Sequence, residues 1–141
     1  MTSGKNKPRA VLDTNVYISA LLFGGIPAQV IDLAREKKIL ILTSSNILFE
    51  LAGVLQDKFK FQRKMILDVI AEIKRYSAVI FVKTKIYSIK EDPADNMILE
   101  CAVEGKADYI VTGDKKHIRP LNHYKGISIK LPREFIKEIN L

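Results

Sequence analysis

The chain has 141 residues, with 23 Lys and Arg against 16 Asp and Glu, a formal charge of +7 and 48% hydrophobic residues. That is one domain with material for a core, not a disordered chain. A single cysteine, Cys101, excludes a disulfide framework and a multi-cysteine zinc site. The positive excess favours an anionic partner, nucleic acid before a membrane surface. Met1–Pro8 is polar and basic, without the apolar stretch of a signal peptide, and is expected to form a flexible tail on a domain spanning 1–141. No apolar run approaches a membrane span, so a cytoplasmic protein with no membrane association is expected.

In chain order, Arg9-Ala10-Val11-Leu12 is a short apolar run that reads as a buried strand ending at Asp13. Asp13-Thr14-Asn15 supplies N-cap residues for a helix over Val16–Leu22, and Gly24-Gly25 breaks it. Pro27 opens a helix over Ala28–Lys37, and Ile39–Leu42 is a second strand. Ser44 or Ser45 caps a helix with Ile47, Leu48, Leu51 and Leu55 on one face. Phe61, Met65, Ile66, Val69, Ile70 and Ile73 form the apolar face of the next, ending near Tyr76. Ala78–Val82 is a third strand, and Lys83–Glu91 a basic connection. Asp95 is positioned to cap a helix from Asn96 to about Glu104, closed by Gly105. Tyr109–Thr112 and Ile127–Lys130 are the last strands, and Pro132 opens a final helix to Ile139. Alternating helices and continuously apolar strands predict an α/β fold: a three-layer α/β/α sandwich around a parallel five-stranded sheet. Right-handed crossovers would then bring the carboxyl ends of the strands to one edge, where ligands bind.

Several acids fall at that edge. Asp13 follows the first strand and Asp114 the fourth, while Asp92 and Asp95 precede the helix between the third and fourth. Glu50 borders the apolar stripe of its helix. Singly, Asp13 and Asp95 read as helix caps and Glu50 as a surface charge. Jointly, carboxylates gathered at one edge are costly unless a cation binds them. Oxygen donors without Cys or His select a hard cation, Mg²⁺ or Mn²⁺. In a basic protein, Lys and Arg would hold a phosphate backbone while the metal polarises a phosphate oxygen and activates water.

Four segments, in order, resemble the motifs of PIN-domain nucleases: Val11-Leu12-Asp13-Thr14-Asn15-Val16, Ile47-Leu48-Phe49-Glu50-Leu51, Asp92 through Ala102, and Ala107 through Asp114. The set spans nearly the whole chain, and its size and ending resemble the VapC-like toxins of toxin–antitoxin pairs. The resemblance implies a metal-binding and catalytic quartet at Asp13, Glu50, Asp95 and Asp114, with Asp92 as an auxiliary acid. It also implies that Thr112 orients carboxylates and that Asn15 bonds within the site or to substrate. A homodimer and a cognate antitoxin are implied as partners, and RNA as substrate.

Lys115, Lys116 and Arg119, with His117, follow Asp114 as a basic cluster that could clamp the RNA backbone or simply be solvated. Lys58, Lys60, Arg63 and Lys64 flank Phe59 and Phe61; the phenylalanines are read as core or dimer contacts, an RNA groove being the alternative. Cys101 is expected in the core, and Ala20–Phe23 is a candidate dimer seam. The expected activity is a metal-dependent endoribonuclease in which water attacks phosphorus and leaves a 5′-phosphate. A PIN fold used only for RNA binding or as a scaffold is the alternative. A haloacid-dehalogenase-like phosphatase fits less well, because it needs a second Asp where Asn15 stands.

Overall fold

The computed structural model describes residues 7–83, 85, 93–113 and 123–140. Asp92, Asp114, Lys115, Lys116, His117 and Arg119 lie outside them. The first apolar run forms β1 (Arg9–Leu12), and Ala10, Val11 and Leu12 have no exposed surface. Asp13 caps α1 (Thr14–Phe23) by accepting from the Asn15 N–H. Gly24 and Gly25 both take positive φ, which a side chain would oppose, and turn the chain by 105° into α2 (Gly25–Arg35). Helix α2 therefore begins before Pro27, which sits within its first turn.

β2 (Leu40–Thr43) leads to Ser44, whose hydroxyl accepts from the Ile47 N–H and caps α3 (Ser45–Asp57). Helix α4 (Arg63–Tyr76) buries Ile66 and Ile73 as expected, but Met65 is 48% exposed. β3 is shorter than expected, Ser77–Val79, and lies at the sheet edge; Phe81 beyond it is exposed. Helix α5 (Pro93–Glu104) starts earlier than expected, so Asp95 lies inside its first turn and not at its cap. β4 (Tyr109–Val111), β5 (His123–Tyr124), β6 (Ile127–Lys130) and α6 (Pro132–Ile139) complete the order.

The sheet order is β3-β2-β1-β4-β6-β5. The five expected strands pair in parallel, and the sixth, β5, is antiparallel to β6. This two-residue strand was not anticipated, because His123-Tyr124 has no apolar periodicity of its own. It forms because Lys125 and Gly126, with φ of 49° and 81°, make a tight turn back into β6.

From β1 the chain steps outward through β2 to β3, then returns across the sheet to β4 and β6 on the other side. The direction reverses between β1 and β4, the place where open α/β sheets bind ligands outside the carboxyl ends of the strands. Among the described residues no single helix is long and apolar enough to cross a membrane.

Candidate active site

The β1/β4 register pairs Leu12 with Val111, so the next residues, Asp13 and Thr112, are neighbours at the carboxyl edge. The ladder continues one step further, with the Asp13 N–H donating to Val111 O at 3.0 Å. The Thr112 hydroxyl donates to Asp13 Oδ2 at 2.6 Å, both residues being buried. Asp13 Oδ1 accepts from the Asn15 N–H at 3.3 Å and lies 3.3 Å from Thr14 Oγ1. Thr14 Oγ1 is also 3.2 Å from Glu50 Oε1, on α3. Asp13 is thus held in one orientation, and one hydroxyl links it to a second carboxylate 37 positions along the chain, at residue 50.

A threonine hydroxyl carries a single proton, so it donates to one of these two carboxylates at a time. Two negative groups within reach of the same hydroxyl repel unless a cation or a proton joins them. The donors named above are neutral, so they orient the Asp13 carboxylate without cancelling its charge. The donor set is oxygen from carboxylates and a hydroxyl. This fits a hard cation that takes one or two carboxylates and keeps several waters.

Asp95 reaches this edge by a different route. At the far end of α5, the Arg9 guanidinium donates to Gly105 O through Nη2 at 2.8 Å and Nε at 3.2 Å. The end of α5 therefore lies at the start of β1. The helix packs along β1, β2 and β4, so its first turn, with Asp95, lies toward their carboxyl ends. Asp95, Asn96 and Glu100 are all buried. Among the described residues, no three Asp, Glu, His or Cys side chains converge as a metal-binding group.

The Asn15 side chain is exposed, and only its backbone N–H engages Asp13. Sequence reasoning treated Thr14 as a capping residue and did not give it the link between Asp13 and Glu50. A hydroxyl directly beside the strand-end Asp was the available signal. Asn96 and Glu100 were also passed over, although two polar residues four apart inside a helix this apolar point to one buried face. Behind the edge, the Tyr17 and Thr43 hydroxyls are buried and face each other. Burial, reinforced by the neighbouring Tyr76 phenol, raises the Tyr17 phenol well above its usual range.

Residues 9–116 match the PIN domain family model. The chain belongs to the PIN-domain family. That family consists of nucleases, and the matched span contains Asp13, Glu50, Asp95, Thr112 and Asp114. This PIN domain is 36% identical to an uncharacterized protein of Methanocaldococcus jannaschii, over 95% of this chain and 93% of the relative. Its fold is similar to VapBC2 of Rickettsia felis, solved bound to a DNA fragment from the promoter. The TM-score is 0.62 at 19% identity, over 86% of this chain and 96% of that one. It is also similar to PAE2754 of Pyrobaculum aerophilum, with a TM-score of 0.61 at 12% identity over 95% and 98% of the two chains. Both likenesses concern the α/β fold with its largely parallel sheet.

Proposed function

We propose that this PIN domain is a metal-dependent endoribonuclease, acting in the cytoplasm as the toxin of a toxin–antitoxin pair. The observation that carries the reading is the pairing of Asp13 and Glu50 through Thr14, with Thr112 fixing Asp13, at the reversal point of the sheet. Asp13, Glu50, Asp95 and Asp114 would hold Mg²⁺ or Mn²⁺, with Asp92 as an auxiliary acid. When bound, the cation polarises a phosphate oxygen and makes water a stronger nucleophile.

The protein's own part is orientation. Thr112 and the Asn15 N–H fix the Asp13 carboxylate, and Thr14 ties Glu50 to it. The exposed Asn15 side chain is available to the substrate. Lys115, Lys116 and Arg119 would hold the RNA backbone. Water displaces the 3′ oxygen in line, so the product carries a 5′-phosphate. The shared fold with VapBC2 supports a cognate antitoxin as partner, and exposed Leu21 and Phe23 on α1 suit a homodimer.

The test is cleavage of total RNA with Mn²⁺, with ends mapped, against Asp13→Asn and against excess EDTA. Cleavage by wild type alone, leaving 5′-phosphates and falling at least about 100-fold in both controls, is expected. Equal cleavage by Asp13→Asn, or in EDTA, overturns the reading.

A further inference from the structure

We propose that the groove between α3 and α4 is a nucleotide-binding subsite of this active site, with Phe49 as a stacking platform for single-stranded RNA. The proposal rests on the nuclease reading above and names where that substrate would lie.

Phe49 directly precedes Glu50 on α3 and is 82% exposed. Phe49, Ala52, Gly53 and Gln56 recur at helical spacing and form one wall of a groove of about 510 Å³. Phe61, Arg63, Ile66 and Leu67 form the other wall. The middle of the groove is open, and a Cβ at Gly53 would meet nothing within 4 Å. The wall runs from Phe49 to Gln56, about 10 Å along the helix. That is the rise of about three stacked nucleotides at ~3.4 Å each. It begins at the helical level of Glu50, so a strand stacked along it leads toward the carboxylates.

Charge selects the occupant. Arg63 lines the groove, and exposed Lys58 and Lys60 after α3 and Lys64 beside Arg63 on α4 adjoin its lining residues along the chain. Among the described residues Lys58, Lys60 and Arg63 form no ion pair, and Lys64 has only a 4.0 Å contact to Asp68, with both side chains largely in solvent. A second copy docked here about a two-fold axis would set this basic face against itself. A phosphate backbone meets it with opposite charge, while its bases supply apolar faces for the phenyl ring. Stacking of this kind tolerates any base, so the subsite supplies affinity and register, not sequence choice.

The test compares Phe49→Ala, Phe49→Tyr and Arg63→Glu for binding of a fluorescent single-stranded 12-mer RNA, in a background carrying Asp13→Asn so that nothing is cut. Phe49→Ala and Arg63→Glu should each weaken binding about tenfold or more, Phe49→Tyr should bind like its parent, and a duplex RNA should be bound equally by the parent and both Phe49 variants. In the cleaving enzyme, Phe49→Ala should raise KM with kcat little changed. Unchanged binding and KM in Phe49→Ala overturn the subsite, as does the absence of any single-strand binding. Conversion of a dimer to a monomer by Phe49→Ala, measured by light scattering, also overturns it and assigns the groove to a second copy. Binding through Phe49 without any cleavage by wild type would leave the subsite standing and remove the nuclease reading instead.

Discussion

Strand β1 is four residues long and carries charge at both ends, and the two ends treat it in opposite ways. At the amino end, the Arg9 N–H donates to Asp108 Oδ2 at 2.9 Å, and the Asp108 N–H returns a bond to Arg9 O at 2.8 Å. The Arg9 guanidinium closes on the last carbonyl of the α5 turn. Each charged group there is met by a backbone partner, the Asp108 carboxylate by an N–H and the Arg9 guanidinium by a carbonyl, and the arrangement is structural. At the carboxyl end, Asp13 is held by hydroxyls and an N–H, and the Thr14 hydroxyl links it to another acid, Glu50. Polar groups arranged to complement one another stabilise the fold, whereas like charges held together store a binding capacity. One end should therefore govern stability and the other activity.

The sharpest test of that division is Asp13→Asn. It should lose at least about 100-fold in cleavage while its unfolding free energy stays level or rises, because one of two repelling charges is gone. A variant that instead unfolds would break the comparison. Gly105→Ala probes the other end. A methyl there would sit 2.8 Å from Leu42 Cδ1 and 3.0 Å from Cys101 O. About 1–3 kcal/mol of stability should be lost in urea unfolding, with activity per folded molecule unchanged.

Thr112→Val removes the donor to Asp13 Oδ2 and keeps the side-chain shape. A drop of about tenfold in kcat is expected with KM for RNA little changed, as for other groups that orient a metal ligand. Arg9→Ala should cost about 1–2 kcal/mol and leave kcat alone. The smallest effect concerns Cys101, buried in the last turn of α5. Burial pushes its thiol from an ordinary 9.0 up to about 12. Below pH 9 both folded and unfolded thiols keep their proton, so stability there is unaffected. Between pH 9 and 12 only the unfolded thiol ionises, so stability falls as pH rises. The loss is about 0.8 kcal/mol by roughly pH 9.5, and Cys101→Ala should remove that slope from the unfolding free energy.

Much of this architecture was legible in the chain. The apolar run before Asp13, the Gly24-Gly25 break, Ser44 as a cap and Pro132–Ile139 as the last helix all rest on local rules, and all are seen. Helix ends were less legible. Gly105 was expected to close α5 by its conformational freedom, but the left-handed residue is Lys106, with φ of 55°. Gly105 is instead required by the closeness of Leu42 and Cys101, which no local pattern encodes. Likewise Phe49 reads as one more apolar residue in a motif until α4 is seen to leave it uncovered.

By itself, then, the sequence determined the order of the helices and of five of the six strands, the residue types at the ends of the buried strands, and the acids proposed to hold a hard cation. Those follow from propensity, periodicity and capping within a few residues. Only the tertiary structure decided that Thr112 bonds to Asp13 across 99 positions and that Thr14 bonds to Glu50 across 36. The reason is physical: spacing along a chain sets local geometry. Contact between β1, β4 and α3 depends on sheet order and register, and those are set when the whole core packs at once.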